Sequence, residues 1–411
     1  MANTFTHNKK VQLISANIAD ARVFTKASVS KMKQSDFEGK KYGKSYHLYI
    51  PGKPKVVNGV VADPSDIAEI ESEVFLDNDN VSTNLGAWER LGDVESFNDE
   101  IGKPWATTLA RTQEKKIVEK EIFKGLQGLV VPAVNGASGA SFKALGKATA
   151  KLRQLALDSK LIGFLNPDVN AEIAGSGLDK FIPSDRMTKL YGDFAIGRYG
   201  TAEWVESPDL PEITTPATAA TATATLTPVT KTVSGSTVTV GFEPVTKITG
   251  TDLFVGAAFT VSGLYVVDTS GIQTKQDVMV IVTEVNAAGT EGTISPLRIC
   301  IDGYVSDINA NAWVAAGTST ITLAYALGTS KTYQVNEVRS ENCLAFDTYR
   351  FDKLPGSEQS DLSVADVAGS AVQMRIFGDG NNLDKLVRID SAYAASLYMP
   401  TEAVVIFVEK V

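Results

Sequence analysis

His7 and His47 are the only imidazoles in the chain, so acid–base chemistry near neutral pH has little material to work with. The run Gly139-Ala140-Ser141-Phe142-Lys143-Ala144-Leu145-Gly146-Lys147-Ala148 has the outline of a phosphate loop. Ser141, however, stands where that loop's first glycine belongs, and Ala148 replaces the hydroxyl that would hold Mg²⁺. Gly378-Asp379-Gly380 lacks the third glycine of a dinucleotide turn and fits a β-hairpin connection better. Asn78, Asn80, Ser82, Asn84 and Glu89 have part of the spacing of a calcium loop. Thr83 sits where that loop demands glycine, so a solvated Asn/Asp loop is predicted. The 48 acidic residues always offer some carboxylate pair, which makes a hydrolase site of that kind unspecific. Cys300 and Cys343 have neither CxxC spacing nor histidine companions, and two buried free thiols are expected. Neither catalytic residues nor a cofactor or metal site are expected.

The elements that would position any site begin with charge. The net charge of −9 argues against a protein built to grip nucleic acid. Residues 1–55 carry eleven basic and three acidic side chains, whereas 56–102 carry one arginine against twelve carboxylates. Adjacent blocks of opposite sign invite contact. Lys40, Lys41, Lys44, Lys53 and Lys55 are therefore candidates to face Glu69, Glu71, Glu73, Asp77 or Asp79 of a neighbouring copy. Pairing within one chain, or plain hydration, is the competing expectation. No apolar run approaches the length of a membrane span, and no leader is apparent.

Val11, Ile14 and Ile18 have helical spacing, which predicts an amphipathic helix in an N-terminal arm over 1–35. Tyr46, Leu48 and Ile50 alternate with polar neighbours up to Pro51, and Ile70, Ser72 and Val74 alternate with glutamates. An extended β-loop over 36–80 follows, too poor in apolar residues to make its own core. Asp99 and Pro104 open a long helix predicted to reach about Gln127, with Arg111, Lys115, Lys116, Glu119 and Glu121 facing water. Strands and helices alternate over the rest of 81–213, including a helix after Pro183-Ser184-Asp185, as in an α/β unit. The Thr/Ala tract from Thr214 to Thr225 looks like a connector. Beyond it, 222–336 has short β-branched runs punctuated by turns, as in a barrel or sandwich. After that, 337–411 returns to mixed structure, with a hairpin across Val372–Ile389.

In this order the residues resemble the major capsid proteins of short-tailed phages whose shell fold carries an inserted β-domain. Gly43-Lys44-Ser45-Tyr46-His47-Leu48-Tyr49-Ile50-Pro51 resembles the start of that family's extended loop, and Glu100 to Phe123 its spine helix. Asn342-Cys343-Leu344-Ala345-Phe346 is similar to the return from the insert, and Val372-Gln373-Met374-Arg375-Ile376 through Arg388-Ile389-Asp390 to the C-terminal hairpin and strand. The resemblance implies an α+β fold with arm, extended β-loop, spine helix, axial α/β domain and inserted antiparallel β-barrel. It also implies hexamers and pentamers of the chain itself, a scaffolding protein during assembly, a portal protein and enclosed double-stranded DNA without sequence-specific binding. The expected location is the virion capsid, assembled in the bacterial host cytoplasm, with no membrane partner. A β-domain-bearing surface or virion binding protein and a carboxylate-dependent hydrolase are the alternatives.

Overall fold

The computed structural model describes residues 2–31, 45–50, 70–85, 98–175, 197–233, 235–301, 304, 310–315, 320–349, 360–367, 369–378 and 385–411. The chain divides into two compact units. One comprises Met1–Leu48, Glu73–Ile117 and Leu344–Ser396, and the other Tyr49–Ser72, Val118–Cys343 and Leu397–Val411.

Helix α1 (Ala2–Ala21) opens the first unit; strands β1 (Ser45–Ile50) and β2 (Ile70–Phe75), each divided between the two units at Leu48/Tyr49 and Ser72/Glu73, form a two-stranded sheet. Strand β3 (Asp77–Leu85) comes next. A single π turn at Asn98–Gly102 then leads into helix α2 (Lys103–Glu121). A 3₁₀ turn at Ile122–Lys124 and extended Gly125 end the helical path, short of the predicted Gln127. Leu126, read from sequence as a helix position, is instead buried just before a strand. The second unit's α/β part contains β4 (Gln127–Val131), α3 (Phe142–Arg153), β5 (Leu161–Leu165), α4 (Pro167–Gly175), β6 (Gly197–Tyr199), β7 (Ala202–Glu206) and β8 (Glu212–Thr214). Ser141 caps α3, its Oγ accepting from Ala144 N at 3.4 Å. The helix predicted after Pro183-Ser184-Asp185 lies outside the described residues.

Ten strands follow: β9 (Thr221–Thr225), β10 (Pro228–Val233), β11 (Ser236–Phe242), β12 (Val245–Thr251), β13 (Ala258–Val267), β14 (Gln273–Val285), β15 (Glu291–Leu297), β16 (Ile299–Ile301), β17 (Ala312–Val314) and β18 (Thr320–Tyr325). The cycle β13-β14-β15-β12-β9-β18, closed by β18 on β13, is a six-stranded antiparallel barrel. Strands β17, β16, β11 and β10 extend from β13 as a wing. Strand β13 serves both. Phe259 and Thr260 pair with β18, whereas Leu264–Val266 pair with β17, and the register along β14 slips between Val261 and Tyr265. Gly263 lies at the slip with φ +81°, a bulge conformation that side chains disfavour.

The Thr/Ala tract is not a connector over its second half. Thr221, Thr223 and Thr225 face solvent from β9, while Ala222 and Ala224 are buried in the barrel. Alternating β-branched and small residues suit a narrow barrel, where only a methyl fits inside. The last barrel strand ends at Tyr325, and β19 (Thr332–Ser340) belongs to another sheet.

The remaining strands are β20 (Leu344–Tyr349), β21 (Ser360–Val367), β22 (Ser370–Gly378), β23 (Lys385–Leu397) and β24 (Ala403–Glu409). In the second unit β4, β24, β19, β5, β7 and β6 form a mixed sheet, with β8 also on β19. Leu145, Ala148 and Leu152 of α3 share an apolar core with Val338, Val404, Ile406 and the barrel interior. Barrel and sheet are tied by Met279 N donating to Leu126 O at 3.2 Å and Ser295 Oγ to Lys124 O at 2.6 Å.

In the first unit β3 pairs along β23, whose other edge carries β22 and then β21. The predicted solvated loop at 78–84 is thus a strand. Its Asn, Asp, Ser and Thr side chains are tolerated because backbone pairing with Lys385–Tyr393 supplies what an apolar face normally would. The Asp379-Gly380 turn and Glu89 lie outside the described residues.

Candidate functional site: the N-terminal arm, the hairpin and their charged residues

Helix α1 is the amphipathic helix predicted for an N-terminal arm, an element with no assured cover in its own chain. Its stripe Val11, Ile14 and Ile18 instead packs on Ala106, Leu109 and Ala110 of α2 and on Val372, Met374, Val387 and Ile389 of the sheet. A helix with a three-residue stripe finds enough apolar surface within its own unit, so the arm folds in place. The chain leaving α1 is held by Glu114, only 1% exposed. Its Oε2 accepts from Val23 N and Phe24 N, each at 2.9 Å, and its Oε1 from Thr25 N at 2.8 Å and Thr25 Oγ1 at 2.6 Å. Four donors converge on one carboxylate, the arrangement that holds a buried anion. Arg22 donates to Ser370 Oγ at 2.8 Å and Gln113 Oε1 at 3.1 Å, with its guanidinium 4.5 Å from the Phe346 ring centroid. Burial pulls Arg22 down to about 10, against the attraction of Glu114. Beyond it Val29 bridges to Leu344 and Phe346 of β20.

Among the described residues the β1–β2 hairpin is covered only in part, with Leu48 and Val74 buried. On β2, Val74 is buried and Ile70 and Ser72 are half-buried, while Glu71, Glu73 and Phe75 face solvent. Phe75 is 57% and Tyr49 58% exposed, and Tyr49 OH donates to Glu71 Oε1 at 3.5 Å. Lys40, Lys41, Lys44, Lys53, Lys55 and Glu69 lie outside the described residues.

Asp77 and Asp79 have partners within the chain. Asp79 pairs with Lys116 of α2, and the Tyr393 hydroxyl donates to Asp79 Oδ2 at 3.3 Å and Asp77 Oδ2 at 3.4 Å. The hydrogen bond to Asp79 raises the Lys116 pKa. Burial, and then the two carboxylates, push the Tyr393 phenol far above its ordinary value. This foot fastens the start of β3. Of the residues predicted to face water, Lys116 is engaged here, and so is Glu121, which is buried and accepts from Leu397 N at 2.7 Å and Lys124 Nζ at 2.8 Å. Glu114 and Arg22 escaped the sequence reading because nothing local marks a helix glutamate as the acceptor for a chain ninety residues earlier.

The remaining chemical candidates have structural explanations. Gly139 is required by packing, since a Cβ there would lie 2.2 Å from Pro132 O. Cys300 and Cys343 are buried thiols not joined in a disulfide, and burial raises the Cys343 pKa well above its usual value. In β19, Glu337 and Arg339 form a fully buried pair at 2.8 Å, and Arg339 also lies 4.6 Å from the Phe164 ring centroid. Among the described residues there is no group of three or more His, Cys, Asp or Glu placed to hold a metal, and no helix is long and apolar enough to cross a membrane.

No protein-family model matches the sequence, and no curated protein matches it either. Solved structures do show likeness. A structure from Mycobacterium phage Che8 aligns at 11% identity and TM-score 0.44 over 94% of this chain and 90% of its own. The capsid of Ralstonia phage GP4 aligns at 6% identity and TM-score 0.47, over 95% and 92%. A virus-like particle from Pyrococcus furiosus aligns at 8% identity and TM-score 0.40, over 97% of both chains.

Proposed function

We propose that this chain is a major capsid protein, which assembles with copies of itself into the icosahedral shell of a tailed bacteriophage around double-stranded DNA. The observation that carries this reading is the β1–β2 hairpin. A two-stranded sheet is marginal alone in water, and this one exposes an aromatic residue on each strand. A repeated neighbour that covers Tyr49 and Phe75 explains why such a ribbon is kept, since every copy in a symmetric assembly presents the same hairpin and the same receiving surface. The order of elements supports it too: arm helix, hairpin, long helix, mixed α/β sheet, inserted barrel, and a return through a β-hairpin, as the sequence resemblance implies.

In this reading the protein works without catalysis, resides in the virion, and assembles in the host cytoplasm with a scaffolding protein and a portal protein as partners. Glu71 and Glu73 are the carboxylates offered to lysines such as Lys53 and Lys55 of a neighbour. Asp77 and Asp79 serve the subunit itself through Lys116 and Tyr393. Electron microscopy of the purified protein is the direct test. Closed shells or curved sheets are expected, and uniform monomers under all salt conditions overturn the reading.

A further inference from the structure

From Ile122 to Leu157 the sequence contains no aspartate or glutamate, although the chain as a whole is acidic. The same stretch has Lys124, Lys143, Lys147, Lys151 and Arg153, four of them on α3. The helical period buries Phe142, Leu145, Ala148 and Leu152, which turns Lys143, Lys147 and Ala150 outward with half-buried Gly146 between them. Lys151 is tied down, its Nζ donating to Gly128 O at 2.7 Å, and Arg153 donates to Leu157 O at 2.9 Å. Lys143 and Lys147 have no ion pair or hydrogen bond among the described residues. Lys103, Lys160, Lys247 and Lys331, by contrast, each sit on a carboxylate. Among the described residues, Asp277 acts electrostatically on Lys151, Glu203 is held by Lys160, and Asp158 follows the helix.

We propose that the exposed face of α3 contacts the backbone of double-stranded DNA without sequence preference. This rests on the capsid reading, which supplies the DNA, and it turns this face toward the packaged genome. The composition of the face favours phosphate over a protein partner. Protein interfaces depend on buried aromatic, arginine or large apolar anchors, and here there are only lysines separated by glycine and alanine. Small residues between cations let a bulky backbone approach closely, and phosphates need nothing more than cations at that approach. Lys143 and Lys147 are one turn apart, about 6 Å along the helix, against about 3.4 Å of axis per phosphate on one DNA strand. They reach phosphates one or two steps apart. The acidic remainder of the chain keeps such contacts weak and local, so the genome is touched without being trapped.

The test uses the full-length protein and a fluorescent 20-base-pair duplex, titrated by anisotropy over a range of NaCl concentrations. K143Q/K147Q is compared with the parent and with K247Q, which removes a lysine already paired with Glu291. The double variant is expected to weaken binding at least tenfold at low salt and to reduce the slope of log K against log[salt] by about 2, equally for duplexes of different sequence. K247Q is expected to change neither. An unchanged slope in the double variant overturns the proposal, as does tighter binding of poly-glutamate than of duplex, which would assign the face to an acidic protein segment. Electron microscopy of the same samples separates the two levels: a parent that forms no shells removes the capsid reading, whereas shells with an unchanged DNA slope remove only this inference.

Discussion

The N-terminal helix and the β1–β2 hairpin both look from sequence like thin appendages awaiting a neighbour, yet they resolve in opposite ways. The helix lays its apolar stripe on α2 and on β22 and β23, and Glu114 closes four hydrogen bonds around the chain that leaves it. The hairpin keeps Tyr49 and Phe75 in water. The difference lies in geometry. A helix concentrates its apolar residues on one side, where a few suffice to dock it, whereas a two-stranded ribbon spreads them over two faces and can cover only one. An element that folds in place contributes to the stability of the folded chain; an element left open is, under the proposed function, the one available for assembly.

The comparison breaks most readily at the helix. Ile14→Ala is expected to destabilise the monomer by about 2–5 kcal/mol, because it opens a cavity at a site with 1% exposure. Phe75→Ala is expected to leave the same urea midpoint unchanged while impairing shell formation. Equal stability loss in both variants would place the hairpin among the self-supporting elements. Glu114→Gln comes next, at about 1–3 kcal/mol, since one end of an amide must present a donor to N–H groups that already donate. A denaturant titration that shows no change would mean that the hydrogen bonds to Val23, Phe24 and Thr25 contribute nothing net.

The foot of the hairpin gives a smaller, pH-dependent effect. The folded Tyr393 phenol holds its proton more tightly than the unfolded one. Its stabilisation is therefore complete below the unfolded pKa of about 10 and is lost as pH rises toward the folded value. The parent's urea midpoint should decline faster than that of Tyr393→Phe above about pH 10, and parallel declines would exclude the phenol as the cause. The smallest effect on folding belongs to Glu71→Lys/Glu73→Lys. These exposed charges leave circular dichroism and the monomer's melting unchanged, while the salt dependence of assembly followed by light scattering should flatten or reverse. Unaltered salt dependence would show that these glutamates do not set the contact.

Much of this architecture was legible because the relevant signals are local. The period of Val11, Ile14 and Ile18, the alternation of Tyr46, Leu48 and Ile50 and the β-branched runs of the barrel each state their own secondary structure. Three assignments failed where the deciding partner is distant in sequence. Polar β3 is a strand because β23 pairs with it, some three hundred residues later. The Thr/Ala tract is a strand because β12 and β18 flank it, and the alanines fit inside a closed barrel. Glu121 is buried because Leu397 brings an N–H to it.

The sequence by itself determined the class of fold and the run of charge from basic to acidic. It determined these because composition and short-range periodicity are properties of neighbouring residues. Only the tertiary structure decided which charged groups are already satisfied, as Asp79 and Glu114 are, and which remain open among the described residues, as Glu73, Lys143 and Lys147 do. That distinction depends on where the backbone carries donors and acceptors from far along the chain. Residue type and local spacing do not record it.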